Sequence, residues 1–286
     1  MRINSQTAVS TSKVLLVPYE KHHVHKYHTW MQDPSIQEAT ASEPLSLDEE
    51  YENQVSWREA HDKLTFIACE PLGPEGPRQG AAVSDHGARE ENMRGDINFF
   101  LYPDEEDEDE VDAPSAVGGD EAASGERTRW LVGEVDVMIA HEGHRGRGFG
   151  GGAVRALLVY LRRNMEGILA EYHRAAGEDR PRSSSISTGQ TAPAQLGGNS
   201  SDSSDSGGGG GGGHEGTTAP VRLRGLMAKI KEGNAGSRAL FAGLGFVQRG
   251  EVNYFGEVTV VMRWEEAARR AAEWEAGEAY SEVHLR

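Results

Sequence analysis

Glycine and arginine dominate the stretch 144–153, which reads HRGRGFGGGA. Alternating apolar residues predict a strand over 130–140 before it, and helical apolar spacing predicts an amphipathic helix over 149–165 after it. The glycines therefore lie at a helix N-terminus, where free backbone N–H groups and the helix dipole attract anions. Glycine also lets the backbone approach such an anion without an intervening Cβ. The stretch predicts a phosphate-binding loop.

Two nucleotide-binding motifs compete for the same glycines. Gly146, Gly148 and Gly151 read literally as G-x-G-x-x-G, the dinucleotide fingerprint. That fingerprint opens the first βαβ unit and precedes, by about 20 residues, an acid at the end of the second strand. Here several predicted strands precede the glycines, and no Gly-Lys-Ser/Thr of a Walker A loop follows them. The context disfavours both motifs.

Two carboxylates share one face of the predicted strand 130–140. Glu134, Asp136 and Met138 alternate along the strand, so their side chains point to the same side. An acidic pair is unexpected on a core face, and a carboxylate there could serve as a general base. Glu134 is the first candidate base and Asp136 the second. The alternative is a sheet face that is partly open to solvent.

Composition limits the partners of the chain. The net charge is −17, concentrated in an acidic block within 103–129, which makes nucleic acid a poor partner. A single cysteine, Cys69, rules out an internal disulfide and lies in an apolar run typical of a buried residue. No apolar run approaches the length of a membrane span, and the polar N-terminus does not resemble a signal peptide. We expect a soluble, cytoplasmic protein without membrane partners.

The remaining elements predict one domain with inserts. Segments 72–94, 103–129 and 167–220 are too rich in Gly, Pro, Ser or charge to bury a core, so we interpret them as inserts within a domain spanning 1–264. A charged helix in 265–286 is predicted to be peripheral. Strands are predicted at 13–19, 64–70, 96–102, 130–140, 222–230, 246–252 and 257–264, and helices at 22–32, 46–60, 149–165 and 235–244.

Three motifs resemble one enzyme family. Arg145, Gly148 and Gly150 fit R/Q-x-x-G-x-G/A, which resembles the acyl-CoA pyrophosphate loop of the GCN5-related N-acetyltransferases (GNAT). The block NAGSRALFAGLGF, residues 234–246, is similar to the family's helix after the fifth strand. LVPYEKHHVHKYHTWM and TASEPLSLDEEYENQVSW are similar to the N-acetyltransferase 9-like branch.

The resemblance implies a fold and an activity. The fold is α+β, an α/β/α sandwich around a mixed, mostly antiparallel sheet whose fourth and fifth strands splay apart to admit the cofactor. The activity is acetyl transfer from acetyl-CoA to a protein amine, and the branch is associated with the N-terminal α-amines of tubulin. A non-catalytic acyl-CoA-binding or microtubule-associated module and a small-molecule amine acetyltransferase are the alternatives.

The resemblance also assigns cofactor contacts. Backbone groups of Met138 and Ile139 would bind the pantetheine arm, and one N–H there would polarise the thioester carbonyl. Asn234 would contact the cofactor from the opposite wall or only cap its helix. The pyrophosphate would lie on the loop and first helical turn, formed by Arg145, Gly146, Arg147, Gly148, Phe149, Gly150, Gly151 and Gly152.

One position departs from the family pattern. Phe241 stands where many members have a tyrosine that is thought to protonate the leaving thiolate, and phenylalanine has no proton to donate. Solvent, Ser237 or Tyr254 would replace it, or the protein would have little activity; Ser237 and Phe241 are also expected beside the cofactor. On the acceptor side, Glu43 would attract a substrate ammonium or would merely form a turn before Pro44.

Histidines raise the possibility of a metal. His22, His25 and His28 share one face of the predicted helix 22–32, but no carboxylate or cysteine lies beside them in sequence. His141 and His144 are one residue too close for H-E-x-x-H. We expect surface histidines and no metal cofactor.

Overall fold

A single sheet organises the part of the chain that the structure describes. The structure is a computed structural model, and it describes residues 1–73, 80–104, 128–178, 220–277 and 279–285. Its strands are β1 Thr7–Ser10, β2 Leu15–Pro18, β3 Lys63–Cys69, β4 Met93–Pro103, β5 Arg129–Ile139, β6 Val221–Lys231, β7 Val247–Arg249, β8 Glu257–Arg263 and β9 Ser281–His284. They pair in the order β7-β8-β6-β5-β4-β3-β2-β1-β9. Every pair is antiparallel except β5–β6, which is parallel.

Helices cover both faces of the sheet. They are α1 Val24–Met31, α2 Pro34–Thr40, α3 Leu47–Glu59, α4 Gly80–Gly87, α5 Phe149–Glu178, α6 Ala235–Leu244 and α7 Trp264–Gly277. Helices α5, α6 and α7 pack with one face in a core that contains Phe66, Phe99 and Tyr160. Helices α1 to α4 cover the other face around a second apolar cluster. The predicted α/β/α sandwich is confirmed.

The parallel pair separates partway along its length. Strands β5 and β6 pair from Arg129 and Val221 as far as Glu134 and Met227. Beyond this point both strands continue, to Ile139 and Lys231, without pairing to each other. The predicted splay of the fourth and fifth strands of the sequence analysis, here β5 and β6, is confirmed. It opens a cleft at the end of the sheet where α5 begins.

Local capping explains two helices that the sequence predicts well. Ser46 accepts a hydrogen bond from the Glu49 N–H at 3.3 Å and Glu49 accepts one from the Ser46 N–H at 2.8 Å, a capping box that begins α3. Gly245 ends α6 in the left-handed region, with φ of 97°. Both helices therefore begin and end close to where the sequence indicates.

Three predicted boundaries were wrong. A further helix, α2, follows α1, since Pro34 occupies its first turn and Asp33 caps it through the Ser35 N–H at 2.8 Å. The segment 72–94 holds α4, whose Val83 is buried in the second cluster. Helix α5 extends past Met165 to Glu178 because apolar residues in that extension, Ile168 among them, pack into the first core. Most of the predicted inserts at 103–129 and 167–220 lies outside the described residues.

The C-terminal region is part of the sheet and its core, so the prediction of a peripheral helix was wrong. Ala267 and Ala271 of α7 are fully buried against the first core. After α7, strand β9 pairs with β1, and the sequence analysis predicted neither of these two strands. Small alanines on one face let α7 approach the neighbouring helix closely, although charged residues surround them.

Candidate functional site

The glycine loop lies between the end of β5 and the start of α5. Gly146 and Gly148 have φ of 72° and 92°, in the left-handed region that favours glycine. At both positions, no heavy atom lies within 4 Å of the place a Cβ would occupy. The first N–H groups of a helix have no partners within it, so the first turn of α5 offers donors to an anion. This open cradle fits the pyrophosphate of a coenzyme A thioester.

The two arginines of the loop have different surroundings. Arg145 donates through Nε to the Ile139 carbonyl at 2.9 Å and through Nη2 to the Ala140 carbonyl at 3.1 Å. It therefore ties the loop to the end of β5 instead of standing free for a phosphate. Arg147 is exposed in the glycine loop, where its charge can attract an anion. The Phe149 ring packs edge-on to His144, with 6.2 Å between the ring centroids.

Helix α6 forms the opposite wall. Asn234 caps it by accepting from the Ser237 N–H at 3.0 Å, so the capping role is real, and the further cofactor contact remains a prediction. A Cβ placed on Gly150 or Gly151 would lie 3.3 or 3.8 Å from Leu240 Cδ1, so Leu240 faces the first turn of α5. The two walls thus meet beside the glycine loop.

Phe241 lies behind this wall. It is 2% exposed and packs edge-on against Phe246 at 5.1 Å between centroids. The side chain belongs to the apolar core and does not stand in the open cleft. This environment suits phenylalanine, because a tyrosine hydroxyl there would need a hydrogen-bond partner.

The carboxylate Glu134 lies where β5 and β6 begin to separate. Lys229 Nζ on β6 donates to Glu134 Oε2 at 2.9 Å and lies 5.7 Å from the centre of the Tyr102 ring. Burial acts to lower the pKa of Lys229, but the hydrogen bond and charge of Glu134, together with Tyr102 and Glu257, offset it, and the pKa of Lys229 is raised. Glu134 and Lys229 therefore form an ion pair that links β5 to β6.

Asp136 lies two residues after Glu134 on the same face of β5, closer along the chain to the glycine loop, and its environment is different. No residue in the described ranges forms a salt bridge with it, and it is only partly exposed. Burial, and next the charge of Glu134, raise the pKa of Asp136 to about 6. A carboxylate that is ionised at neutral pH yet more basic than usual is suited to accept a proton.

Asp96 on β4 is a site residue that the sequence analysis missed. It is 2% exposed, and its Oδ2 accepts from Tyr27 Oη at 3.2 Å and from Asn98 Nδ2 at 2.9 Å. Burial, and next the charge of Asp136, raise the pKa of Asp96 to about 7. The alternation of Asp96 and Asn98 in DINFFLY was the available signal, since both point to one face.

The other predicted site residues lie on exposed loops or on β5 itself. Tyr254 is 97% exposed on the loop between β7 and β8, and Lys231 Nζ at the end of β6 donates to the neighbouring Phe255 carbonyl at 3.0 Å. Glu43 is exposed in the loop between α2 and α3. Met138 is 7% exposed, and its backbone continues into the separated part of β5.

Histidines form no metal centre in the described ranges. No group of three or more His, Cys, Asp or Glu side chains there is placed to hold a metal ion. The buried histidine is His23, whose Nδ1 accepts from the Glu20 N–H at 3.0 Å and whose Nε2 lies 3.2 Å from the Gly87 carbonyl. Burial lowers the pKa of His23 to about 3, which makes it a neutral structural residue. Among the same residues, no helix has the length and apolarity needed to span a membrane.

Comparison with known proteins identifies the family. Residues 13–247 match the Acetyltransferase (GNAT) domain. The chain is 41% identical over 165 residues to the N-acetyltransferase 9-like protein of Schizosaccharomyces pombe, an alignment covering 56% of this chain and 75% of that protein. It is 39% identical over 162 residues to the alpha/beta-tubulin-N-acetyltransferase 9 of Homo sapiens, covering 56% of this chain and 63% of that one. Among solved structures, RimL, a ribosomal L7/L12 alpha-N-protein acetyltransferase in complex with coenzyme A, aligns with 88% of this chain and 94% of its own at a TM-score of 0.46 and 10% identity.

The separated parallel strands and the glycine loop that begins α5 are the features of an acetyltransferase cleft. The chain belongs to the GNAT acetyltransferase family, in its N-acetyltransferase 9-like branch. It is an acetyl-CoA-dependent N-acetyltransferase.

Proposed function

We propose that the protein transfers an acetyl group to the α-amine at the N-terminus of a polypeptide. The observation that carries this proposal is the environment of Asp136, whose pKa is raised to about 6. An α-ammonium group titrates near 8 and a lysine side chain near 10.4, so proton transfer to Asp136 costs about 3 kcal/mol for the first and about 6 kcal/mol for the second. Asp136 therefore accepts a proton from an α-ammonium group at a lower free-energy cost than from a lysine.

The cleft residues hold acetyl-CoA in a defined direction. The amides of the glycine loop and the first turn of α5 bind the pyrophosphate, aided by the exposed Arg147. Backbone groups of Met138 and Ile139, in the unpaired part of β5, bind the pantetheine arm, and Asn234 and Ser237 line the opposite wall. The bound thioester supplies the acetyl group.

Asp136 is the proposed proton acceptor, ahead of Glu134. Glu134 is already engaged in an ion pair with Lys229, whereas no cation is paired with Asp136 in the described ranges. The Glu134 charge acts instead on Asp136, where it raises the pKa. Glu134 and Lys229 bridge β5 and β6 where the pairing of the two strands ends. In this arrangement Glu134 assists and Asp136 accepts.

The leaving thiolate needs little help from the protein. A thiol titrates near 8.5, so its thiolate is a tolerable leaving group close to neutral pH. Phe241 is buried and has no proton to donate. We therefore expect solvent to protonate the thiolate, with Ser237 and Tyr254 as the alternative donors.

We propose that the acceptor polypeptide contacts the exposed loops that carry Glu43 and Tyr254. Glu43 in the α2–α3 loop attracts the ammonium group, and the exposed Tyr254 contacts the residues that follow it. Relatives of the chain in Drosophila melanogaster and Homo sapiens are named for alpha- and beta-tubulin. A tubulin N-terminus is accordingly the first acceptor to test.

Matched peptides test the proposed acceptor. One peptide has a free N-terminus and no lysine, and the other has a blocked N-terminus and one lysine, with both otherwise carrying a tubulin N-terminal sequence. The difference in proton-transfer cost predicts faster turnover of the free N-terminus by about 10²-fold. Faster acetylation of the lysine peptide would refute the proposal, and acetyl-CoA binding without any transfer would favour a non-catalytic module.

A pair of variants tests the proton acceptor. Asp136→Asn should lower kcat by about 10²-fold or more with an unchanged KM for acetyl-CoA, because the amide keeps the shape but cannot take the proton. Asp85→Asn, an exposed aspartate of α4, is the control and should keep full activity. A Glu134→Gln loss larger than the Asp136→Asn loss would assign the base to Glu134.

A further inference from the structure

A histidine immediately before the glycine loop lies beside the cofactor cradle. His144 ends the 3₁₀ turn Glu142–His144, and the family motif of the loop begins one residue later, at Arg145. The His144 ring packs edge-on against Phe149, the first residue of α5, with 6.2 Å between the ring centroids. The imidazole therefore lies next to the helical turn whose free N–H groups are available to an anion.

Packing, more than hydrogen bonding, holds the His144 ring. The ring of His141 also packs against it, with 5.2 Å between the centroids. The Nδ1 atom of His144 is buried and has no hydrogen-bond partner among the described residues. Such atoms are rare in folded proteins. His144 thus differs from the structural His23, whose two ring nitrogens both lie at hydrogen-bond distance from backbone groups.

Charged groups from several elements face His144. Burial, and next the charges of Arg94 on β4, His141 in the turn and Arg147 in the glycine loop, lower the pKa of His144. Glu70, directly after β3, acts to raise it. The ring is therefore neutral at pH 7. An anion that binds among these positive groups would reverse the balance and favour the imidazolium.

The cofactor brings more negative charge than the exposed arginine of the loop can balance. A pyrophosphate diester carries two negative charges near neutral pH. Arg145 is bound to the carbonyls of Ile139 and Ala140, and Arg147 is exposed and supplies one positive charge. A protonated His144 would supply a second positive charge at the same end of the cleft.

We propose that His144 binds the pyrophosphate of the cofactor as an imidazolium and takes up its proton from solvent when the cofactor arrives. An N–H bond forms on the imidazole, the proton comes from the buffer, and no bond of the cofactor breaks. Affinity for the cofactor is thereby linked to pH through a residue outside the loop motif. The inference concerns the cofactor side of the cleft and holds whichever amine is the acceptor.

The pH dependence of cofactor affinity tests this role without turnover. The probe is 3′-dephospho-coenzyme A, because a phosphate monoester itself titrates near pH 6 whereas the pyrophosphate diester does not. By isothermal titration calorimetry, the Kd of the wild type should rise by about 3- to 10-fold between pH 6 and pH 8 as the proton is lost. Near pH 6, buffers of different ionisation enthalpy should reveal an uptake of roughly half a proton per bound probe.

Two variants assign the effect to His144. His144→Asn should bind with a Kd that is nearly independent of pH and close to the wild-type value at pH 8. His25→Asn, which removes an exposed histidine of α1, is the control and should keep the pH dependence of the wild type. An equal pH dependence in the wild type and His144→Asn would overturn the proposal.

A permanent cation at the same position gives a gain of affinity to measure. His144→Lys is charged throughout this pH range, so it should bind the probe equally at pH 6 and pH 8. At pH 8 it should bind about 3- to 10-fold more tightly than the wild type. This outcome does not depend on the folding of His144→Asn. Binding by His144→Lys that is no tighter than that of the wild type at pH 8 would show that a charge at this position does not reach the pyrophosphate.

The proton can also be followed directly by NMR. The imidazole resonance of His144, identified by its loss in His144→Asn, should titrate below the ordinary histidine value of 6.5 in the free protein. Saturation with the probe should move its midpoint to higher pH, and an unmoved midpoint would contradict the proposed contact. A moved midpoint in a protein that acetylates no peptide would refute the proposed function and leave this inference intact.

Discussion

Replacing Gly148 with glutamate should abolish the stabilisation of the protein by acetyl-CoA. Gly148 has φ of 92°, and a side chain there would enter the open space at the start of α5. A carboxylate in that position is itself attracted to the helix N-terminus, so it would occupy the place of the pyrophosphate and repel it. Ligand binding fails because the site is filled, and the fold remains.

The magnitude follows from two opposing effects. An L-residue in the left-handed region costs about 1–2 kcal/mol, so Gly148→Glu without ligand should unfold at a slightly lower temperature. Acetyl-CoA at 100 times its Kd stabilises the wild-type protein by about 2.7 kcal/mol. For a domain of this size that corresponds to roughly a 5–10 °C rise in Tm. The variant should show almost none of this rise.

Gly250→Glu is the matched control. Gly250 also has a positive φ, of 73°, and open space at its Cβ position, but it follows β7 and lies outside the glycine loop. Thermal unfolding followed by circular dichroism should show the same strain cost in both variants and a ligand-induced rise only in the control. Equal rises in Gly148→Glu and Gly250→Glu would refute the assignment of the loop to the pyrophosphate.

Three further predictions concern stability. The pKa of Asp96 is about 7 against an ordinary 3.8, so its contribution to the free energy of unfolding is favourable at low pH and is lost as the pH rises through 7. Between pH 5 and 8, urea unfolding of the wild type should therefore show a loss of about 2–3 kcal/mol that Asp96→Asn does not show. Parallel pH curves for the two proteins would contradict this. Tyr172→Ala should cost about 3–4 kcal/mol by the same measurement, because Tyr172 is 6% exposed in the extension of α5; a loss below 1 kcal/mol would mean that this extension is not packed. Phe241→Tyr should lose about 1–3 kcal/mol and gain no turnover, because the added hydroxyl is buried without a partner; faster acetyl transfer would show that the position does reach the thiolate.

The sequence is informative where local chemistry decides the structure. Alternation predicts β3, β4 and β5, the Ser46 capping box predicts the start of α3, and Gly245 predicts the end of α6. The glycine loop was located for the same reason, since a strand, a run of glycines and an amphipathic helix follow one another directly along the chain.

Long-range packing explains what the sequence did not reveal. The buried face of α7 consists of alanines among charged residues, so its apolar pattern is weak, and β9 becomes a strand only because β1 provides an edge. Asp96 lies diagonally across from Asp136 only because of the β4–β5 register, which neither strand's sequence reveals alone. The ion pair of Glu134 with Lys229 likewise depends on how two distant strands separate.

Regiochemistry on a single acceptor tests the central claim most directly. A peptide that carries both a free N-terminal α-amine and one lysine is incubated with the wild-type protein and acetyl-CoA at pH 7, and the modified amine is located by tandem mass spectrometry. The proposed match between Asp136 and an α-amine predicts that the α-amine gains the acetyl group while the lysine remains unmodified, and that Asp136→Asn slows this reaction strongly. Acetylation of the lysine in preference to the α-amine, or equal rates in the wild type and Asp136→Asn, would contradict the account.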